Sequence, residues 1–227
     1  MKNENFMIQS SLAVQARDAL RERIITGQLA PGERIELSEL ASRWKISPTP
    51  LRDAVKALEG TGLVDILPRR GVFVAQLDRK GLRETFELRM AFEGMAARLA
   101  VRNLPVGVAE AALRAYREAG EADAAEQESR LEAVDELVHD IVLAHSGNQR
   151  LAKMMAGVAD LVRWSRLSIV RHIPRSYLTT LPEHVAICEA LVARDPDAAE
   201  ATMRRHLEKV SERIEKWLDE NPSENSV

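Results

Sequence analysis

The sequence contains little cysteine and few aromatic residues. Cys188 is the only cysteine among 227 residues, which excludes an internal disulfide and fits a reducing compartment. Phenylalanine, tryptophan and tyrosine together make up 4% of the chain, so leucine, valine, alanine and isoleucine must do most of the packing. The hydrophobic fraction of 45% is sufficient for two cores in a chain of this length.

Long apolar runs are also missing. No uninterrupted apolar stretch approaches the roughly 20 residues that a helix needs to cross a bilayer, and residues 1–9 are polar and mixed in character. We therefore expect a soluble, cytoplasmic protein with no secretory leader and no membrane partner. The tail at residues 221–227 is rich in Asn, Ser and acidic residues, a composition that predicts disorder.

A strong charge of either sign is absent as well. The formal net charge is −3, divided into +2 for residues 1–75 and −5 for residues 76–227. Uniform negative charge would argue against a nucleic acid partner, but the charge is not uniform. The asymmetry is modest, so any DNA contact by the N-terminal part must depend on specific docking more than on bulk attraction.

The N-terminal pattern predicts three short helices. Apolar residues from Val14 to Ile25 recur at helical spacing. Ser38 is placed as the N-cap of a second helix that runs to about Trp44, and Ser47 as the N-cap of a third. These caps would satisfy backbone N–H groups that have no partner within the helix.

The third predicted helix has one polar and one apolar face. Its first turn tolerates Pro48 and Pro50, because the backbone donors there lack intrahelical partners. The inward face comprises Leu51, Ala54, Val55 and Leu58, and the outward face comprises Thr49, Arg52, Asp53 and Lys56. The helix should end near Gly60 and Gly62, where left-handed conformations cost little. The outward face is suited to a major groove.

A basic hairpin follows the third helix. Two short apolar runs, residues 63–67 and 72–75, bracket the sequence Pro68-Arg69-Arg70-Gly71, which predicts two strands and a cationic tip. Three helices followed by such a wing are the order of a winged helix-turn-helix. We therefore predict a DNA-binding domain over residues 1–76 whose partner is double-stranded operator DNA.

Several sequence segments carry a resemblance to a known family. They are Leu29-Ala-Pro-Gly-Glu-Arg-Ile, Leu37-Ser-Glu-Leu-Ala, Ile46-Ser-Pro-Thr-Pro-Leu-Arg-Asp-Ala-Val, Leu58-Glu-Gly-Thr-Gly-Leu-Val and Arg69-Arg-Gly-Val-Phe-Val. Together they closely resemble the GntR family of bacterial transcription regulators. The part that begins near Leu82-Arg-Glu-Thr-Phe-Glu-Leu-Arg resembles the FadR-like subfamily with an FCD effector-binding domain. The resemblance implies a homodimeric regulator, a repressor by analogy, and not an enzyme.

Eight residues of the N-terminal module are expected to contact DNA: Arg34, Arg43, Ser47, Thr49, Arg52, Arg69, Arg70 and Gly71. Arg52 is the strongest base-reading candidate, because a guanidinium near the start of the recognition helix can donate two hydrogen bonds to guanine. Arg34 and Arg43 are expected at the DNA backbone, and Arg70 and Gly71 at the minor groove. Pro48 stands where many relatives have an arginine, so an operator preference cannot be copied from them.

From Leu82 onward the helical period dominates, and no convincing strand is visible. Helices are predicted at about 80–102, 106–120, 127–146, 148–171, 180–194 and 196–219. Short connections force neighbouring helices to run in opposite directions. The sequence therefore predicts a mainly α protein, in which a linker at 77–81 joins the winged helix to an antiparallel all-α FCD domain at 82–220.

One group of residues in the helical part has the composition of a metal site. Asp135 and His139 are four residues apart and would project from one face of a helix, while His184 and His206 fall in the last two helices. Imidazoles with one carboxylate suit Zn²⁺ or Ni²⁺ better than Ca²⁺ or Mg²⁺. Spacing alone is a weak signal, but a subset of the FCD domains that this chain resembles binds a metal through an Asp and three His at matching positions.

The remaining candidates concern a ligand at that metal. A small carboxylate effector would occupy open metal positions, with Arg89 as its clamp and Asn148 as a second contact; Arg163 and Arg166 are further possible lining residues. His145 and His172 are interpreted as structural or surface residues. Two alternatives stay open: a metal-dependent hydrolase, for which no motif supplies a positioned acid or base, and a regulator whose metal is purely structural.

Overall fold

The computed structural model describes residues 2–76, 78–173 and 175–221. All of the predicted disordered tail except Asn221 therefore lies outside the described residues. The described residues form two compact units: the first contains the residues up to Asp78 together with Gly157–Ser168, and the second contains Arg79–Ala156 and residues 169–221.

The first unit has the helix order of a winged helix-turn-helix. Its elements are α1 (Lys2–Ile25), α2 (Leu37–Trp44), α3 (Pro48–Glu59), β1 (Val64–Leu67) and β2 (Gly71–Val74). Helix α1 packs against α3, and α2 against α3. The core between them is made of aliphatic side chains with at most 1% exposure: Leu20, Ile24, Ile25, Leu51, Ala54, Val55, Leu58 and Leu63.

Two details of the helix ends differ from the sequence prediction. Helix α2 begins at Leu37 after Glu36, whose extended backbone has φ −82° and ψ 90°, so Ser38 lies inside the helix and the prediction of Ser38 as its N-cap was wrong. Ser47 does precede α3, but its side chain makes no capping hydrogen bond. After α3, Gly60 stays right-handed with φ −62°, and Gly62 takes the left-handed turn with φ +76°.

The wing is wider than the predicted hairpin. Strands β1 and β2 pair antiparallel, with Val64 opposite Val74 and Leu67 opposite Gly71. A third extended segment joins the free edge of β2: the Ile35 N–H donates to the Val72 carbonyl at 2.8 Å, and the Val74 N–H donates to the Glu33 carbonyl at 2.9 Å. Residues 33–35 thus attach the base of the wing to the segment before α2.

The second unit is all-helical within its described residues. Its elements are α4 (Arg79–Asn103), α5 (Val108–Glu121), α6 (Gln127–Val134), α7 (Leu137–His145), α8 (Gln149–His172), α9 (Ser176–Val192) and α10 (Pro196–Glu220). Residues 157–168 of α8 belong to the first unit. The central packing is that of α4 along α10, with α9 against α10, α5 against α9 and α7 against α4. The predicted fold class is confirmed.

The predicted boundaries need three corrections. Helix α4 begins at Arg79, inside the predicted linker, and α9 begins at Ser176 before the predicted start. The single helix predicted at 127–146 is two helices, α6 and α7, separated at Asp135 and Glu136. In the described part of the chain, none of the helices combines the length and the apolar character that crossing a membrane requires.

Candidate metal centre and DNA interface

Three histidines from three helices meet inside the second unit. His139 lies in α7, His184 in α9 and His206 in α10, and each offers a ligand atom within 4.8 Å of the other two. The side chains of His184 and His206 are buried, with 2% and 4% of their residue surface exposed. Their rings lie 4.6 Å apart, and the ring of His139 lies 5.4 Å from His184 and 5.2 Å from His206.

The geometry of the donor atoms fits a transition metal. The Nε2 atoms of His139 and His184 are 3.4 Å apart. Two imidazole nitrogens bound to one tetrahedral Zn²⁺ at about 2.0–2.1 Å are separated by about 3.3 Å. A set of imidazole nitrogens also matches the preference of Zn²⁺ and Ni²⁺ for nitrogen ligands. The residues present therefore fit a metal of this class.

A carboxylate lies behind His139, on the side away from the other histidines. Glu93 of α4 contacts the Nδ1 of His139 through Oε2 at 2.5 Å, and its Oε1 accepts a hydrogen bond from the Nε of Arg89 at 2.6 Å. Both Glu93 and Arg89 are buried, with exposures of 1% and 5%. Burial by itself would raise the pKa of Glu93, but the Arg89 guanidinium and His139 outweigh burial and hold that pKa well below its usual range.

A second carboxylate contacts the Nδ1 atom of His206. Glu183 of α9 contacts the Nδ1 of His206 through Oε2 at 2.9 Å, and Arg213 of α10 donates one hydrogen bond to each oxygen of Glu183, at 2.9 and 3.0 Å. Burial raises the pKa of Glu183, but the hydrogen bonds from His206 and Arg213 lower it to about 2. Burial also lowers the pKa of His206 to about 4, against the opposing effect of Glu183.

Tyr116 of α5 explains why the predicted helix at 127–146 is broken. Its hydroxyl accepts a hydrogen bond from the Val138 N–H at 3.1 Å and donates one to the Asp135 carbonyl at 3.4 Å. A side chain that inserts into a helical hydrogen-bond ladder in this way interrupts it. The ring of Tyr116 also packs 5.0 Å from the ring of His184, so one side chain contacts both the break and the histidine cluster.

The other residues predicted for this site, Asp135, Asn148 and Arg163, have different surroundings from one another. Asp135 follows the end of α6 and is outside the group of converging ligand atoms; since α6 ends before it, Asp135 and His139 do not share one helix. Asn148 is exposed and caps α8, accepting a hydrogen bond from the Leu151 N–H at 3.1 Å. Arg163 forms an ion pair with Glu22 at 2.7 Å within the first unit.

The predicted DNA-contacting side chains lie on the surface of the first unit. Arg43, Ser47, Thr49 and Arg52 are exposed on α2, α3 and the turn between them. Arg34, Arg69 and Arg70 are exposed at the wing. At Gly71, which has φ +118°, a Cβ atom would lie only 3.1 Å from the Nε of Arg34. The absence of a side chain at Gly71 thus allows Arg34 to lie against the wing.

The tip of the wing contains an unusual backbone conformation. The Arg70 N–H donates to the Leu67 carbonyl at 3.1 Å, which closes a turn with Pro68 and Arg69 at its centre. Arg69 has φ 64°, a left-handed conformation that this turn position normally gives to glycine. A large cationic side chain in this conformation costs about 1 kcal/mol or more.

Comparison with known proteins identifies the family. Residues 84–209 match the model of the FCD domain, and residues 12–74 match that of the bacterial regulatory proteins of the gntR family. The chain belongs to the GntR-family transcription regulators that carry an FCD domain. Such a regulator binds DNA through its winged helix-turn-helix, and the relatives reported below are named as transcriptional regulators.

The curated relatives agree with this family, and a solved structure has the same fold. The chain is 29% identical to the Nta operon transcriptional regulator of Aminobacter aminovorans, over 81% of this chain and 85% of that protein. It is 28% identical to the transcriptional repressor RspR of Escherichia coli, over 89% of this chain and 88% of that protein. The structure of E. coli McbR/YncC has the same fold, with a TM-score of 0.69 and 20% identity over 92% of this chain and 98% of that one.

Several residues around the histidine cluster were not found from the sequence. Glu93 was noted only as a neighbour of Arg89, and Tyr116 and Glu183 were not singled out. Glu183 directly precedes His184, yet it contacts His206 on another helix. Spacing within one helix cannot reveal contacts of this kind, because they depend on how the helices pack.

Proposed function

We propose that this chain is a homodimeric repressor whose affinity for its operator is changed by a small organic acid bound at a metal in the FCD domain. The observation that carries this proposal is the convergence of three imidazole nitrogens inside the FCD domain of a chain that also has a winged helix-turn-helix. One part supplies a ligand site, and the other supplies the DNA contact.

The metal is proposed to be Zn²⁺ or Ni²⁺, held by His139, His184 and His206, with Asp135 as the fourth ligand. When bound, such an ion acts as a Lewis acid that accepts carboxylate oxygens at its open positions. Asp135 lies at the break between α6 and α7, and Tyr116 holds its carbonyl there. Three histidines supply no negative charge, and a carboxylate ligand would partly balance the charge of the ion.

Arg89 is proposed as the clamp of the effector. Its guanidinium has five N–H donors, and the hydrogen bonds to Glu93 use two of them, at 2.6 and 3.5 Å. The remaining donors are available to a carboxylate, which favours charge-assisted and bidentate contacts with arginine. Asn148 is kept as a secondary proposal, although its exposed position as the cap of α8 already gives it a local role.

On the DNA side, Arg52 is proposed to read a guanine, because it is exposed near the start of α3 and its planar fork matches the major-groove edge of that base. Ser47 and Thr49 are proposed to contact phosphates or bases, and Arg34 and Arg43 the DNA backbone. Arg69, Arg70 and Gly71 would follow the minor groove. These roles agree with the exposure of all the arginines in the set.

The homodimer is proposed to form through apolar surface of the helical domain. Leu88 and Met95 of α4 are 41% and 40% exposed, and they lie on one face of the helix because they are seven residues apart. Met154 of α8 is 58% exposed. Large apolar side chains that share a face are typical of an interface. Two copies would present two recognition helices to a palindromic operator.

The test measures operator and effector binding together. DNA fragments that flank the gene are titrated with protein at moderate ionic strength, with Zn²⁺ or Ni²⁺ and a panel of small carboxylates. We expect one class of acid to change the operator affinity and, by linkage, the operator to change the acid affinity by the same factor. If the operator affinity is the same with and without each acid, and the acid affinity is the same with and without the operator, effector control is refuted. If a chelator unfolds the protein and no acid changes operator binding, the metal is structural.

A further inference from the structure

We propose that Glu93 and Glu183 are positioning residues of the metal centre: they hold the rings of His139 and His206 by their Nδ1 atoms, so that both Nε2 atoms face the metal. This inference rests on the metal site proposed above. It assigns a function to one buried and one partly buried carboxylate that do not themselves belong to the group of converging ligand atoms.

The two contacts have the same chemical arrangement. In each, a carboxylate oxygen lies within hydrogen-bond distance of Nδ1, 2.5 Å for Glu93 with His139 and 2.9 Å for Glu183 with His206. A carboxylate has only acceptors, so Nδ1 must carry the proton and donate it. The proton is then absent from Nε2 of the neutral ring, which leaves a lone pair for a metal.

Each carboxylate is also supported by an arginine on the far side. Arg89 donates to Glu93, and Arg213 donates to both oxygens of Glu183. The charge-assisted hydrogen bonds from the guanidinium groups favour the carboxylate form of both side chains, which accepts hydrogen bonds and cannot donate them. The arginines thus act on the histidines through the carboxylates.

The Glu93–His139 and Glu183–His206 contacts differ in their surroundings, and this difference predicts which glutamate contributes more to metal affinity. The side chain of Glu93 is 2% exposed and has one arginine partner, whereas Glu183 is 11% exposed and is shared by His206, Arg213 and Lys209. Electrostatic contacts are stronger where water is excluded. Loss of the Glu93 charge should therefore weaken metal binding more than loss of the Glu183 charge.

The first experiment compares Zn²⁺ affinity, measured by competition with a chelator, for the full-length protein and two variants. Glu93→Gln and Glu183→Gln each keep the size of the side chain and remove its charge. Mutation of such partners of metal-binding histidines typically lowers metal affinity about 10- to 100-fold, with Glu93→Gln at the upper end. Matched controls are the exposed acids Glu87→Gln on α4 and Glu189→Gln on α9, which should stay within about twofold of the wild type.

The outcomes separate this inference from the metal site itself. If the wild type does not bind Zn²⁺, the proposed metal function fails. If the wild type binds Zn²⁺ and both variants bind it as tightly as their controls, the positioning role of the two glutamates is refuted while the metal site stands.

A second measurement needs no glutamate variant and so does not depend on how one folds. Long-range nitrogen–proton NMR of the metal-free wild type reports which ring nitrogen of each histidine carries the proton, with signals assigned from single His→Gln variants. We expect the proton on Nδ1 of His139 and His206. A proton on Nε2 of both rings would overturn the inference, because a purely packing role for the glutamates would not fix the tautomer.

Discussion

The two units of this regulator present their functional residues in opposite ways. In the winged helix, the arginines expected to contact DNA are exposed, and the apolar core lies behind them. In the helical unit, His184, His206, Arg89 and Glu93 are at most 5% exposed, and hydrogen bonds join Arg89 to Glu93 and His206 to Glu183. A surface that meets a large polyanion can be built from separate side chains, whereas a small-ligand site requires side chains whose buried charges are balanced by partners.

The largest effect is expected from His184→Ala. Removing one of the three converging imidazoles should lower metal affinity on the order of 100-fold or more, since loss of a ligand costs more than loss of a residue that only supports a ligand. Metal-dependent thermal shifts measure the loss, because a ligand bound only by the native state raises apparent stability. His145→Ala, outside the cluster, is the control. Shifts that survive in His184→Ala would show that the metal binds elsewhere.

Arg52→Ala tests the other unit. Loss of a bidentate contact to guanine should cost about 1–3 kcal/mol of operator binding, roughly a 5- to 150-fold loss of affinity. Fluorescence anisotropy with a labelled operator measures it, and metal affinity should not change. Arg102→Ala, which removes an exposed arginine from the helical unit, serves as the control. If the two variants bound the operator alike, Arg52 would not be a base-reading residue.

Tyr116→Phe tests how the break between α6 and α7 is stabilised. The ring would still pack against His184, but the Val138 N–H would lose its hydrogen bond to the hydroxyl. A buried polar group left without a partner costs about 1–3 kcal/mol. Urea unfolding should therefore show a lower midpoint for the helical unit. An unchanged midpoint would mean that water or a backbone group replaces the hydroxyl.

The smallest effect, with opposite signs in two assays, is expected from Arg69→Gly. Glycine adopts the left-handed conformation of this position without strain, so the winged helix should gain stability of about 1 kcal/mol or less. Operator affinity should fall, and the dependence of log affinity on log salt should lose about one unit of slope.

Arg70→Gly is the matched control for that variant. It removes the same charge from the same turn, but Arg70 has no left-handed conformation to relieve. The control should therefore lose both DNA affinity and stability. If Arg69→Gly also lost stability, the left-handed conformation of Arg69 would carry no strain.

The sequence by itself determined the order of the N-terminal elements and the helical nature of the rest. The signals for these elements are local, because each involves residues that are close together in the sequence. They are the spacing of apolar residues, the prolines in the first turn of α3, and the Arg69-Arg70 pair between two short apolar runs. The residues proposed to face DNA were chosen from the same local pattern. The three histidines were selected from their residue type and a family resemblance, not from geometry.

Only the tertiary structure decided how the histidine cluster is held. Tyr116 divides what the pattern predicted as one helix, and so places Asp135 in a break that precedes the helix carrying His139. Glu93 and Glu183 contact histidines 46 and 23 residues away in the sequence. The pairing of residues 33–35 with β2 was likewise absent from the local pattern. Local periodicity reports which face of a helix is buried, but the partner of a buried polar group is set by packing between helices.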